Sequence, residues 1–310
     1  MAVGSYRQMT EGLRFPEGPI AMPDGSVLLV EIARGTLSRV TERGEVEVVA
    51  ETGGGPNGAA IGPDGHCYVC NNGGLRFAES GGLLIPVGTA GDGEYEGGSI
   101  QRICLDSGAV ETLYTHCGDV PLRGPNDIVF DAAGGFWFTD LGRNTGTGED
   151  LAAVYYALPD GSRIERALFP LHHANGIGLS PDESVLYVAE TWTGRVYHYP
   201  LTGPGTVGSG ADTVDPARLL YGAPGLQLFD SLAVDGAGNV CVATVINGGI
   251  TVIPPAGGHA EHLALDDPYT TNICFGGAGL GTAIVTLSGS GRLVSFDWPR
   301  PGLALNFLNR

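Results

Sequence analysis

Apolar positions in this chain gather into short runs, and each run follows a turn signal. The pair recurs six times: Pro23-Asp-Gly-Ser-Val-Leu-Leu-Val30, Pro63-Asp-Gly-His-Cys-Tyr-Val69, Ala133-Gly-Gly-Phe-Trp-Phe138, Pro181-Asp-Glu-Ser-Val-Leu-Tyr-Val188, Ala237-Gly-Asn-Val-Cys-Val242 and Gly279-Leu-Gly-Thr-Ala-Ile-Val285. A second run follows each, such as Thr36-Leu-Ser-Arg-Val40 or Arg195-Val-Tyr-His-Tyr199, and often a third, such as Glu45-Val-Glu-Val-Val49. Runs of this length, rich in β-branched and aromatic residues and bounded by Gly, Pro and Asp, predict strands. No stretch of a dozen residues sustains a 3.6-residue period, which argues against alternating βα units. With the short segment ahead of each turn, every unit holds about four strands. The expected fold is all-β: a six-bladed β-propeller with four-stranded antiparallel blades around a central channel, residues 1–310 forming one domain. A β-sandwich pair, or a seventh blade hidden in an insertion, explains six turn registers less well.

Composition narrows the chemistry. The 52 glycines and 20 prolines suit a protein made of tight turns. All 16 basic residues are Arg, so Schiff-base and phosphate-loop lysines are excluded. A net charge of −18 opposes nucleic acid and anionic membrane surfaces, and neither is expected as a partner. The first ten residues lack a basic region followed by an apolar core, and no apolar run reaches membrane-spanning length, so the expectation is a soluble cytoplasmic chain. Six cysteines are too few for a disulfide scaffold; Cys67 and Cys70 sit in one strand and face opposite sides, as buried small apolar residues rather than metal ligands.

Counting back eight positions from Gly25, Gly65, Gly134, Glu183, Gly238 and Leu280 reaches Glu17, Asn57, Asn126, Asn175, Asp230 and Asn272. Each opens the first strand of its unit, the strand that lines a propeller's channel, so the six should converge near one mouth. A merely solvated channel would mix in Ser, Thr, Arg or Gln. Here every side chain offers a carboxylate or carboxamide oxygen, a set that suits one divalent cation, Ca²⁺ best, with Mg²⁺ and Mn²⁺ next and a tetrahedral Zn²⁺ cage least. A second set lies fourteen residues further on, at Glu31, Asn71, Asp140, Thr244 and Thr286, with Glu190 at fifteen. Its expected task is to hold loops and support the first set.

The run Phe15-Pro-Glu-Gly-Pro19, then Arg123-Gly-Pro-Asn-Asp127, Ala174-Asn-Gly-Ile-Gly-Leu-Ser-Pro-Asp182, Phe229-Asp-Ser-Leu-Ala-Val-Asp235 and Thr271-Asn-Ile-Cys-Phe-Gly-Gly277 resembles the senescence marker protein / gluconolactonase / luciferin-regenerating enzyme family. The resemblance covers nearly the whole chain in order. It implies a metal-dependent lactone hydrolase, with phosphotriester hydrolases among the relatives. It also implies that Glu17, Asn175 and Asp230 are metal ligands, that Asn126 binds substrate or metal, and that Asp127 contacts substrate. Asn57 and Arg123 complete the expected substrate contacts, although the family's Arg stands two positions before its Asn and here that position is Gly124.

A cation at this mouth would polarise a lactone carbonyl and acidify water, so no enzyme nucleophile is required, and no G-x-S-x-G elbow occurs. The resemblance implies Asp230 as the general base. His173, two residues before Asn175 and hence on the same side of an extended chain, is a second candidate. Insertions at 73–96 and 141–151 should emerge at the same mouth, and the apolar stretch Leu83-Leu-Ile-Pro-Val87 would pack over neighbouring blades or close over substrate. The expected partner is a small lactone less polar than an aldonolactone. An organophosphate-type hydrolase and a non-catalytic ion-binding propeller are the alternatives. Nothing in the sequence demands an oligomer.

Overall fold

The computed structural model describes residues 5–89, 91, 94–144, 148–208 and 218–310, so 90, 92, 93 and 145–147 of the two insertions lie outside the described residues. Six sheets follow in chain order, with first strands Pro16–Ala21, Pro56–Ile61, Pro125–Phe130, Ala174–Leu179, Leu228–Val234 and Thr270–Gly276. Each first strand touches the next, and the sixth touches the first, so the ring is closed. The six-bladed propeller expected from the turn spacing is the observed fold. Blades I to VI are antiparallel throughout; blade IV carries one additional strand, and blade VI takes its outer strand from Arg7–Thr10, paired with Arg292–Asp297. The N-terminal segment therefore closes the ring.

The physical reason for the apolar runs lies in the second strands. Val27–Glu31, Cys67–Asn71, Phe136–Asp140 and Val240–Val245 are buried along their whole length, because each is sandwiched between two neighbouring blades. Six apolar clusters result, one for each blade interface, from Ile20, Leu28, Val69 and Ile103 between blades I and II to Ala21, Leu29, Ile284 and Leu293 between VI and I. Cys67 and Cys70 fall in different clusters, on opposite faces of their strand. The turn ahead of each second strand holds a left-handed residue: Gly25, Gly65, Gly134 and Gly238 have φ between 75 and 90°, Glu183 and Leu280 take φ of 57 and 58°, and in blade VI Gly277 and Gly279 are left-handed as well. The first six of these are the residues from which the eight-position offset is counted. Neighbouring aspartates brace the turns, as where Asp24, Asp64 and Asp182 accept the N–H two residues on.

The C-terminal segment crosses the end of the channel opposite to the strand starts. Asp235 is fully buried and accepts hydrogen bonds from Ala237 N, Asn239 N and Nδ2, and Arg300 Nε at 2.7 Å. Gly236 N–H reaches Pro301 O at 2.8 Å. Further on, Asn306 Nδ2 donates to Phe130 O and Glu183 Oε1, Arg310 pairs with Glu183 at 2.8 Å, and Leu308 packs against the cluster of Ile20 and Ile61. Among the described residues no helix is long and apolar enough to cross a membrane.

Burial alone would raise the Asp235 pKa, but the bonds from Arg300 and Asn239 outweigh it and hold the carboxyl below its usual range. A depressed carboxylate pKa stabilises the fold above the unfolded value of about 3.9, and that contribution is lost as pH falls through the folded value. Asp235→Ala is expected to lose about 3 kcal/mol of stability at pH 7, because it leaves the Arg300 charge and several donors unpaired. Urea unfolding at pH 7 and pH 3 checks this. The difference between wild type and variant should shrink at the lower pH, and a constant difference would contradict the assignment.

Candidate functional site

A register shift interrupts all six pairs of first and second strands at or beside the eight-offset residue, between Glu17 and Ile20, Pro56 and Ala59, Pro125 and Ile128, Ala174 and Ile177, Phe229 and Leu232, and Thr270 and Asn272. Bulges of this kind re-aim side chains, here at the channel mouth. The strands crowd there. A Cβ on Gly18 would lie 2.7 Å from Asn57 O, one on Gly58 2.5 Å from Asn126 O, and one on Gly176 2.7 Å from Asp230 O. Glycine after the ring residue is thus a steric requirement of three blades.

The second set of polar residues holds the loops that enter these strands. Glu31 accepts Arg14 N–H at 2.8 Å, Asp140 accepts Arg123 and Gly124 N–H at 2.8 and 2.7 Å, Glu190 accepts His172 N–H at 2.8 Å, and Asn71 accepts Gly55 N–H at 2.9 Å. Each clamped residue stands two or three positions before its blade's ring residue. Thr286 and Thr244 bond instead to the hydroxyls of Thr271 and Thr251. Loop support, the role expected of this set, is the one that Glu31, Asn71, Asp140 and Glu190 have.

The ring side chains divide into anchored and unpartnered groups. Glu17 Oε2 accepts Gly18 N–H at 3.0 Å and Asn272 Nδ2 at 2.8 Å, and Asn272 Oδ1 accepts Ile273 N–H at 2.8 Å. Both ends of Asn272 are therefore committed. Asp127 accepts the N–H of Ile128 at 3.0 Å and of Ile177 at 3.4 Å, and its own N–H donates to Thr139 Oγ1, which donates to Asn175 O. Asp230 is held by a hydrogen bond from Asn175. In contrast, Asn126 Oδ1 and Asn175 Oδ1 are buried with no hydrogen-bond donor. Asn57 is buried at the same level of blade II.

Electrostatics sharpen the picture. Burial pushes the Glu17 carboxyl above the usual range against three hydrogen bonds. Asp127 is pushed up to about 7 by burial and by the charge of Glu17. Asp230 is raised well above its ordinary value by burial, then by Glu17 and Asp127. No cationic side chain is among the groups acting on these three. The buried carboxylates of Glu17 and Asp127, the partly exposed one of Asp230 and two carboxamide oxygens without donors form a donor set that fits a hard cation. Among the described residues no three His, Cys, Asp or Glu side chains make a metal cluster by themselves, so the asparagine oxygens would have to complete the shell.

His173 reaches this region by a different route from the extended chain expected. It precedes the first strand with φ 54°, its carbonyl accepting Thr191 N–H at 3.0 Å. Its Nδ1 pairs with Glu149, and its ring meets Trp192 edge-on at 5.2 Å between centroids. Burial lowers its pKa, His172 adds to that, and Glu149 opposes it. Arg123 is half-exposed, 3.7 Å from Asp150, with its carbonyl bonded by Tyr95. The hairpin Leu75–Ser80 and Leu83–Thr89 packs Phe77 and Leu84 on Phe15, Ile32 and Tyr269, so the apolar stretch of the first insertion covers blades I and VI. Thr139, Thr271 and Glu149 were not singled out by the sequence. Thr271 adjoins ring residue Asn272 and Thr139 adjoins Asp140 of the second set, whereas nothing local marks Glu149.

Residues 15–289 match the family model described as the SMP-30/gluconolactonase/LRE-like region. The lactonase drp35 of Staphylococcus aureus is 30% identical over 251 residues, covering 80% of this chain and 67% of the relative. Its counterpart in Staphylococcus epidermidis is 31% identical over 251 residues, with 80% and 66% covered. Among solved structures, the calcium-binding protein regucalcin of Agrobacterium tumefaciens superposes with a TM-score of 0.75 at 17% identity, covering 99% of this chain and 97% of that one. A gluconolactonase of Xanthomonas campestris gives 0.73 at 20%, covering 96% and 91%. Identities this low establish the shared fold.

Carboxylate pKa values raised in the folded state mean that it binds protons more tightly than the unfolded chain, so charging these groups destabilises the cation-free protein as pH rises. Glu17→Gln and Asp230→Asn each remove one repelling charge. Each should raise the thermal midpoint of chelator-treated protein at pH 8 by about 2–4 °C, a change of roughly 1 kcal/mol, while weakening the stabilisation that added Ca²⁺ confers on wild type. Midpoints that fall in both variants, with the Ca²⁺ response intact, would show that the charges are balanced by something other than a cation.

Proposed function

The chain belongs to the SMP-30/gluconolactonase/LRE-like family, and from that premise we propose that it opens a lactone with water in a reaction that depends on one divalent cation. Lactone hydrolysis is what the family and its lactonase relatives support. The cation dependence rests on one observation: two buried carboxamide oxygens lack donors beside carboxylates that lack a cationic partner. Glu17, Asn175 and Asp230 would hold the ion, with Asn126 as a further ligand or a substrate contact. Ca²⁺ suits these oxygens best, and Mg²⁺ or Mn²⁺ next. Such a cation supplies Lewis acidity toward an ester carbonyl and acidifies water.

The chain's own residues do the rest. The Asp230 carboxylate is assigned as proton acceptor for the attacking water. His173, whose Nδ1 is taken by Glu149, offers Nε2 as a second acceptor. Asp127 is fixed by backbone N–H groups and can orient a substrate oxygen, with Asn57 and Arg123 as outer contacts. Neutral substrate and anionic product differ in a way that favours turnover, since a net charge of −18 repels the hydroxy acid formed. A phosphotriester hydrolase is the second reading. It is favoured by the unpartnered Asn126 Oδ1, which would then join Asn175 Oδ1 on the ion. We read residues 1–310 as one propeller domain and place the protein in the cytoplasm, where its six free cysteines are stable.

Chelation should abolish hydrolysis across a panel of lactones, and added Ca²⁺, Mg²⁺ or Mn²⁺ should restore it. Asp230→Asn should reduce kcat by about 10²–10⁴ at saturating cation, with binding of the ion followed separately by calorimetry. Full turnover in both Asp230→Asn and Glu17→Gln would place the reaction elsewhere. Faster hydrolysis of an aryl phosphotriester than of every lactone would favour the second reading.

A further inference from the structure

One side of the channel mouth carries an apolar rim that no step above uses. Leu226, Trp192, Leu151 and Ile246 are 71, 58, 49 and 45% exposed. All four stand at the end where first strands begin and second strands finish. Leu151 precedes the third strand of blade III, Trp192 and Ile246 follow the second strands of blades IV and V, and Leu226 leads into the first strand of blade V.

Backbone contacts bring the segments that carry them together at this mouth. Ala223 N–H bonds Gly194 O at 2.8 Å, and a Cβ on Gly194 would lie 2.7 Å from Gln227 O, so the Trp192 turn and the Leu226 loop lie against each other. Leu228 pairs with Val245, which sets Gln227 beside Ile246 one step outward. Ala152 pairs with Leu171, which sets Leu151 beside His172. The Trp192 ring meets His173, two residues from Asn175. The rim therefore runs over three adjacent blades and joins the ring of oxygens at His173. On the opposite side, over blades I and VI, the apolar groups are already covered by the hairpin of the first insertion. Exposed apolar side chains grouped on adjacent loops mark a binding surface, and a group bordering buried carboxylates suits an uncharged ligand.

We propose that this rim seats the apolar substituent of the substrate, an alkyl or aryl group of several carbons on a neutral lactone, with Trp192 and Leu226 setting specificity. The inference rests on the hydrolase reading and narrows its substrate class.

The test is kcat/KM across a series of lactones differing only in alkyl chain length, from none to eight carbons. Each of the first few methylenes should raise kcat/KM by up to about fourfold. Trp192→Ala and Leu226→Ser should each lower it about tenfold for the longest chain, Leu226→Ser should leave the unsubstituted lactone unchanged, and Trp192→Phe should retain most of the preference. Trp137 and Trp298 are buried, so quenching of the exposed indole by a long-chain lactone in the presence of chelator, absent in Trp192→Phe, reports seating without turnover. A flat series, or equal losses on all lactones, overturns the inference and leaves the hydrolase reading standing. Failure to hydrolyse any member with any of the three cations overturns both. A dimer in light scattering that Trp192→Ala dissolves would assign the rim to a second copy and overturn the inference as well.

Discussion

The approach of six first strands to one axis is the constraint on which the rest depends. Where they come nearest, Gly18, Gly58 and Gly176 leave no room for a Cβ against the backbone of the next blade. Strands that close together cannot keep a regular ladder to their outer neighbours, and the register shift at that level in every blade relieves the crowding. The shift turns one side chain per blade toward the axis. A functional ring is thus a direct product of closing the propeller, and its chemistry depends only on which residue types occupy six equivalent places.

Those places carry oxygen and no positive charge, which determines what the mouth can bind. Burial raises the pKa of Glu17, Asp127 and Asp230, the charge of Glu17 adds to it at Asp127 and Asp230, and Asp127 adds further at Asp230. Hydrogen bonds from backbone N–H groups restrain this tendency without cancelling it. The Asn126 and Asn175 oxygens add dipoles of the same sign, unrelieved by any donor. Such an arrangement costs stability in the folded chain, and it persists because the loops behind it are held by Glu31, Asn71, Asp140 and Glu190 through backbone bonds far from the axis. Rigidity outside the ring keeps like charges together inside it.

Much of this was legible in sequence for identifiable reasons. A second strand buried on both faces reads as an unbroken apolar run, and the left-handed turn before it marks its start, even in blade IV where Glu183 takes the place of a glycine. From that marker the distance to the bulge is constant, so Glu17, Asn126, Asn175 and Asp230 could be found by counting. The reasoning that placed His173 fails, because alternation along a strand does not apply to a residue at φ 54° before the strand begins. Glu149 and Trp192 were missed as its partners, because an insertion and a turn meet there through tertiary folding and no period connects them. The closing strand Arg7–Thr10 is short and partly exposed, so its pairing is encoded by the vacant edge of blade VI more than by its own pattern.

The far end of the channel bears on the near end. Asn306, Leu308 and Arg310 cross the base, and above them a cavity of about 110 Å³ is walled by Ile20, Ile61, Phe130, Leu179 and Val234. Asp127 and Asn272 reach its upper edge. With the tail across the base and apolar side chains forming most of the middle, water beneath the mouth is restricted, and field lines there run through a medium of lower polarity. An open channel would hydrate the same carboxylates from below and relax their pKa values. The tail, held to blade V by Asp235 and Arg300 and to blade IV by Glu183, therefore contributes to the electrostatic character of a ring that it never touches.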